Sequence, residues 1–163
     1  MYNRGDKIFY GQTGVCVVED ISEKELTKHL KRLYYTLRPL YHQNCVIYAP
    51  VENGKVYMRE LISRQAAEEL MREIPSIREK SLELTCENDY KACLESHSCE
   101  ELLELAVCIY AKKQAARSVH KKIGFIDEKY LGRAEELLFG ELAAALDITP
   151  DEVPGLMFGG TKK

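Results

Sequence analysis

The sequence lacks any apolar run near the ~20 residues of a membrane-spanning helix, so we expect no membrane partner. Its start, Met-Tyr-Asn-Arg, has no apolar export signal, which favours a cytoplasmic protein. An excess of charge of either sign is also lacking. The formal net charge is only −3 over 163 residues, so the chain as a whole lacks the positive charge typical of nucleic-acid binders. Hydrophobic residues make up 45%, which is enough to form a packed core.

The six cysteines lack the spacing of a metal or redox motif. They form no CxxC pair, and no histidine pair accompanies them at zinc-finger spacing. Several lie in stretches predicted to be helical, so we interpret them as buried, reduced thiols. This usage favours the cytosol. We expect neither a metal site nor a cofactor.

A catalytic constellation is missing too. The four histidines are scattered among exposed-looking positions, and no Ser-His-Asp order can be defended. Paired acids such as Glu100-Glu101 and Glu135-Glu136 fall on predicted helices, where they are usually solvated. We therefore expect a protein that is not an enzyme.

The opening segment, RGDKIFYGQTGVCVVEDI, contains two short patterns with misleading matches. Arg4-Gly5-Asp6 matches the adhesion tripeptide, but a three-residue match often arises by chance. GQTG lacks the lysine of a phosphate-binding loop and leads into β-branched residues rather than a helix. The segment instead predicts a β-hairpin with strands KIFY and GVCVVEDI, joined by a turn in which Gly11 and Gly14 tolerate positive φ.

Residues 1–62 predict a β-module of five short strands, curled as in SH3 or Tudor domains. The charged stretch SEKELTKHLKR is predicted to be an exposed loop, followed by strands in RLYYTLRPL, NCVIYAP and KVYMREL. Asn53-Gly54 between the last two strands is a strong two-residue hairpin signal. With nine basic and seven acidic residues, this part carries a formal charge of about +2.

Residues 63–163 predict an all-helical domain, which makes the fold class α+β. Its fourteen basic and nineteen acidic residues give a formal charge of about −5. Ser63 is expected to cap a first helix that Pro75 ends, with a linker-like PSIREKSLEL after it. Gly132 and Gly140 are expected to let another helix approach the last long helix. A helix is expected in ENDYKACLES, and a capping box of Ser98 and Glu101 is expected to begin a long helix with core residues Leu102, Leu105, Ala106 and Ile109. Asp127 is expected to cap the helix EKYLGRAEELLFGELAAAL. Thr149-Pro150 is expected to begin a short final helix, and the GGTKK tail is expected to be frayed.

This order of elements resembles the CarD/CdnL family of bacterial transcription regulators, whose β-module also occurs in the transcription-repair coupling factor. The resemblance spans nearly the whole chain. It is carried at the front by Gly5-Asp6, Tyr10, Gly14, VCVVEDI, YYTL, Ala49-Pro50 and Arg59-Glu60-Leu61, in the middle by DYKACLE, and at the back by RAEELLFGELAAAL.

The resemblance implies that the β-module binds the β subunit of RNA polymerase through a strand edge and flanking side chains. Lys24 and Tyr48 correspond to contact positions, although a basic residue is expected where Tyr48 stands. The helical domain is implied to lie against promoter DNA at the upstream edge of the melted bubble, where it slows collapse of the open complex. Whether transcription rises or falls, and at which promoters, does not follow from the sequence. We expect a monomer.

The implied DNA contact differs from the family pattern at one position. The family places a tryptophan wedge just before the DYK-like stretch, but this sequence has no tryptophan, and alignment on Tyr90 puts Cys86 there. Cys86 and Lys91, which lies in the matching stretch, are the residues implied to face DNA in this region. The family's basic positions hold Asn88 and Asp89 here.

A basic stretch, KKQAARSVHKK, extends from Lys112 to Lys122 without an acid. Lys113, Arg117 and Lys121 are spaced i, i+4, i+8, so they share one face if the helix continues that far. Such a stripe is typical of phosphate contact. Cations at a helix carboxyl end are the ordinary alternative.

Two alternatives stay open. In the first, the chain is a protein-only adaptor whose acidic helical domain binds another protein instead of DNA. In the second, it is an enzyme with a reactive thiol, for which Cys86 is the best candidate.

Overall fold

The computed structural model describes residues 1–42, 44–52, 54–80, 84 and 86–157. The chain divides into two compact units, Met1–Leu61 and Ile62–Lys163. The first is a β-sheet unit and the second is helical, so the predicted α+β class, with a small β-module ahead of a helical domain, is confirmed. Within the described residues, no helix is long and apolar enough to span a bilayer.

The first unit is a five-stranded antiparallel sheet with the order β4-β3-β2-β1-β5. Its core lies on one face, where alternate residues of each strand point inward. The strands are β1 (Lys7–Tyr10), β2 (Gly14–Thr27), β3 (Leu30–Pro39), β4 (Ile47–Pro50) and β5 (Met58–Glu60). The core side chains are Ile8, Cys16, Val18, Tyr35, Leu37 and Ala49.

The predicted hairpin GQTG joins β1 and β2. Gly11 and Gly14 both have positive φ, at 45° and 94°, and the Thr13 N–H donates to the Tyr10 carbonyl at 2.9 Å. A Cβ at Gly11 would lie 2.4 Å from Cγ1 of Val56, so both conformation and space require glycine there.

The opening tripeptide is part of this unit rather than a free motif. Gly5 N–H donates to the Val18 carbonyl at 2.7 Å, and the Arg4 guanidinium lies 2.7 Å from Asp20. The Asp6 carboxylate accepts from the Asn3 N–H at 2.8 Å. All three residues fix the start of the chain against β2.

The stretch SEKELTKHLKR is not a loop, so that expectation was wrong. β2 continues to Thr27 and β3 begins at Leu30, which leaves a turn of two residues with His29 at φ 63°. The register shifts between Lys24 and Thr27. The ribbon is exposed on both faces, so its sequence lacks the apolar alternation that marks a strand.

The predicted hairpin between the last two strands was also wrong. β4 pairs with β3 and β5 pairs with β1, so β4 and β5 form opposite edges of the sheet. Asn53 itself lies outside the described residues.

The helical unit contains α1 (Arg64–Arg72), α2 (Ile74–Lys80), α3 (Glu87–Glu95), α4 (Cys99–Ser118), α5 (Phe125–Leu146), a 3-10 turn (Pro150–Glu152) and α6 (Val153–Met157). Helices α4 and α5 are the longest described and pack against each other. The predicted core positions of α4 are all buried, namely Leu102, Leu105, Ala106 and Ile109.

Helix starts were predicted with mixed success. Ser63 Oγ accepts from the Ala66 N–H at 3.0 Å, as expected of a cap. Ser98 Oγ accepts from the Glu101 N–H at 3.3 Å, but the Ser98 N–H donates to Ser96 Oγ, so the expected reciprocal bond to Glu101 is replaced. Thr149 caps the 3-10 turn that Pro150 begins.

Three expectations about the helices fail. PSIREKSLEL is not a linker at its start, because Pro75 occupies the first turn of α2, where its missing N–H costs little. Gly124, not Asp127, caps α5. A Cβ at Gly132 would meet nothing within 4 Å, so no helix approaches there, whereas Gly140 is buried. The predicted frayed tail lies outside the described residues.

Candidate functional site

Lys24 and Tyr48, the two predicted contact residues of the β-module, lie together on the outer face of the sheet. Ile47 and Ala49 pack toward the core, so Tyr48 between them points away from it. Lys24 Nζ sits 4.9 Å from the centroid of the Tyr48 ring, reaching across β3 from β2. Tyr48 is 46% exposed, so much of its ring is open to a partner.

This cation–π pair stands beside an edge of the sheet. Within the described residues, β4 pairs only with β3, so one side of its backbone is directed away from the sheet. Such an edge offers N–H and C=O groups to an added strand. An exposed aromatic ring beside it supplies apolar area that a partner can bury. The edge, Lys24 and Tyr48 together form what we call the β4 surface.

Other charges of the β-module are held in internal pairs. Arg38 lies 2.6 Å from Glu19, and Arg32 donates to the Glu52 carbonyl at 3.0 Å. The hydrogen bond from Arg4 lowers the pKa of Asp20. These contacts link neighbouring segments of the same sheet.

In the helical unit, a polar cluster ties three helices together beneath the basic stretch. The buried Tyr90 of α3 donates from its hydroxyl to Asp127 Oδ1 at 2.8 Å and accepts from Lys112 Nζ. Burial, with the hydrogen bond to Asp127, raises the pKa of Tyr90. The Tyr130 ring packs at a tilt against the Tyr90 ring, with 5.6 Å between their centroids, and the Tyr130 hydroxyl donates to Glu87 Oε2 at 3.1 Å.

Two acids near the start of α5 form ion pairs with the first two lysines of the basic stretch. Lys112 lies 3.9 Å from Asp127, and Lys113 lies 4.0 Å from Glu128. Lys113 therefore faces a carboxylate of α5 as well as solvent.

The stripe is not one continuous helical face. Helix α4 ends at Ser118, and the chain reverses with His120 at φ 60°. The His120 N–H donates to the Arg117 carbonyl, and the Lys121 N–H to the Ala116 carbonyl at 2.8 Å, a Schellman ending. Arg117 is on the last turn, but Lys121 lies beyond the helix. The condition for a shared face is not met.

Cys86 and Lys91 are both exposed, at and near the start of α3. The Cys86 N–H donates to Asp89 Oδ2 at 3.3 Å, so Cys86 is the N-cap residue of α3. The adjacent acid is an unfavourable neighbour for a phosphate. Among the residues that the structure describes, His, Cys, Asp and Glu form no group of three suited to a metal ion.

The thiols are mostly buried, as interpreted from sequence. Cys16, Cys93, Cys99 and Cys108 are buried, while Cys45 and Cys86 are exposed. Burial raises the pKa values of Cys16 and Cys93 to about 11, which makes these thiols poor nucleophiles.

One feature of the helical unit was missed from sequence. Val119, which follows α4, and Phe125, the first residue of α5, are exposed by 59% and 79%. The signal available in the sequence was the presence of these apolar residues among cations at a helix boundary.

Comparison with known families assigns the β-module. The family model of the CarD-like/TRCF RID domain matches residues 2–62, which contain all five strands, and RID denotes an RNA polymerase-interacting domain. The match ends at residue 62, where the helical unit begins. A comparison with curated proteins gives no match.

Proposed function

Because residues 2–62 are a CarD-like/TRCF RID domain, an RNA polymerase-interacting module, we propose that this chain is a transcription regulator that docks on the polymerase β subunit. In this proposal the β4 surface makes the contact. The helical domain, residues 63–163, approaches upstream promoter DNA and modulates the stability of the open complex. The protein acts in the cytoplasm, as a monomer and without catalysis or a cofactor.

The observation that carries the docking proposal is the β4 surface itself. An unpaired edge and an exposed ring with a cation over it combine main-chain and side-chain contacts on one side of the sheet. A partner strand added to β4 would bring its own side chains over Tyr48 and Lys24. The cation–π pair contributes about 0.5–1 kcal/mol at an exposed site and holds the ring in place before binding.

The docking test compares two tyrosine variants in binding to purified polymerase and to its isolated β subunit. Tyr48→Ala removes the proposed anchor and should weaken binding by about 2 kcal/mol, the usual size of an interface hot spot. Tyr57→Ala is the matched control, because Tyr57 is 49% exposed and next to β5, at the opposite edge of the sheet. Equal affinities for the two variants would contradict docking through β4.

DNA approach is supported by the charge pattern at the carboxyl end of α4. From Lys112 to Lys122 the chain carries five Lys or Arg and no acid. Cys86 and Lys91 at α3 are the other residues proposed to face DNA. In the fold α3 and α4 pack together, which is compatible with a shared DNA-facing side.

The DNA proposal is tested on the polymerase–promoter complex, where docking raises the local concentration of the helical domain. Lys113, Arg117 and Lys121 are changed together to glutamine. Each lost phosphate contact should flatten the log–log salt dependence by about one unit, while polymerase binding stays intact. Equal helicity of the two proteins is the control.

The second candidate is the protein-only adaptor. The formal charge of about −5 on residues 63–163 and the cysteine at the wedge position favour it. An unchanged promoter-complex lifetime and salt slope in the triple variant, with polymerase binding retained, would make this the leading function.

A further inference from the structure

The segment that joins α4 and α5 combines exposed apolar side chains with cations that have no carboxylate within ion-pair distance among the described residues. We call residues 117–126 the α4–α5 tip. Phe125 is 79% exposed, the highest value among the exposed aromatic side chains described. Val119, the C-cap residue of α4, is 59% exposed, and Ile126, the residue after Phe125, is 39% exposed. A phenylalanine this exposed, with two further exposed apolar side chains close in sequence, offers apolar area that a binding partner can bury.

The cations of the tip differ from the two lysines that precede them on α4, because those two lysines form ion pairs. Lys112 and Lys113 are matched by Asp127 and Glu128, at 3.9 and 4.0 Å. In the described part of the chain, Arg117, Lys121 and Lys122 have no carboxylate within ion-pair distance. Among the described residues, the tip therefore carries three positive charges that have no ion-pair partner.

The backbone of the tip leaves room for a partner to come close. The Schellman ending folds Lys121 back over the last turn of α4, which sets the cations at the end of the helix rather than along its side. A Cβ added at Gly124, just before Phe125, would meet nothing within 4 Å. A rigid partner can thus reach Phe125 without displacing other parts of the unit.

We propose that the α4–α5 tip binds duplex DNA, with Lys121, Lys122 and Arg117 on phosphates and Phe125 inserted at a base step. Charge complementarity selects a polyanion, and an exposed aromatic ring can enter a base step and unstack it. This inference rests on the proposed approach of the helical domain to promoter DNA. It assigns the contact to the end of α4, the connection after it and the start of α5, all outside the matched domain, and it gives the apolar role to Phe125 rather than to Cys86.

The test uses the full chain and a short duplex with 2-aminopurine at a central A·T step, first alone at about 20 mM salt, where phosphate contacts are strongest. Unstacking of the base raises its fluorescence. Phe125→Ala should abolish the rise and weaken binding about tenfold, the size of one lost stacking contact, with an unchanged salt slope. Leu156→Ala is the matched control, because Leu156 is 56% exposed on α6 of the same unit.

Charge and insertion are then separated. Lys121→Gln with Lys122→Gln should flatten the salt slope by about two units and weaken all duplexes equally. The inference is overturned if Phe125→Ala matches Leu156→Ala in affinity and fluorescence, or if the parent binds anionic lipid vesicles or a protein subunit through the tip but not duplex DNA.

Repeating the fluorescence measurement on the polymerase–promoter complex distinguishes the two proposals. Loss of the signal in Phe125→Ala with normal polymerase binding supports both. Duplex binding that depends on Phe125, without any polymerase binding, would sink the proposed function and leave the DNA contact standing. Polymerase binding with no response to Phe125→Ala would overturn the tip alone.

Discussion

Removal of one hydroxyl group should test the polar cluster that supports the basic stretch. Tyr90→Phe keeps the buried ring but deletes the hydrogen bond to Asp127 at 2.8 Å and the one from Lys112. Each bond involves a charged partner and is worth about 1.5–3 kcal/mol when fully buried. Lys112 and Asp127 are partly exposed and keep their own ion pair at 3.9 Å, so both regain solvation. We expect a net loss near 2 kcal/mol.

Urea unfolding followed by far-ultraviolet circular dichroism provides the assay, since most helices lie in the affected unit. With a slope of about 1–3 kcal/mol/M, the midpoint should fall by about 1 M. Tyr48→Phe, an exposed position, should change stability by less than about 0.5 kcal/mol. A double-mutant cycle with Asp127→Asn should show a coupling of about 1 kcal/mol or more. A coupling of zero would refute the role assigned to the hydroxyl.

Three further predictions concern the thiols and the wedge position. Because burial raises the pKa values of Cys16 and Cys93 from about 9 to about 11, the unfolded chain ionises first on raising the pH. The contribution of these two thiols to the free energy of unfolding should be fully present below about pH 9 and be lost between about pH 9 and 11. Urea midpoints measured across that window test this, and a flat profile would contradict it. Native thiol titration should give two fast groups, Cys45 and Cys86, and six after denaturation; a third fast group would contradict the burial assigned to the other thiols. Cys86→Trp should lengthen the promoter-complex lifetime if α3 faces DNA, and an unchanged lifetime in a folded variant would place this position away from DNA.

Local signals in the sequence predicted the elements that local chemistry determines. The Gly11 and Gly14 turn, the Ser63 cap and the core positions of α4 follow from glycine conformation, side-chain capping and helical spacing. Pro75 shows the limit of such signals. The same ring that stops a helix is tolerated in a first turn, and only the packing of α2 on α4 decides between the two.

Features that depend on distant residues were not predictable in the same way. β5 pairs with β1, far along the chain, rather than with β4, so the local Asn53-Gly54 signal did not determine the pairing. The β4 surface joins Lys24 and Tyr48 across an intervening strand, and a sequence pattern gives no distance between them. The polar cluster likewise brings together Tyr90 and Asp127, which are 37 positions apart.

Amine cross-linking of the full chain to purified RNA polymerase tests directly whether the β4 surface docks on the β subunit. Lys24 lies within the β4 surface, so its cross-linked peptides identify what that surface contacts. We expect cross-links from Lys24 to the β subunit, lost on Tyr48→Ala and kept on Tyr57→Ala. Cross-links from Lys24 only to other subunits, or a Lys24 that stays freely reactive in a saturated complex, would contradict it.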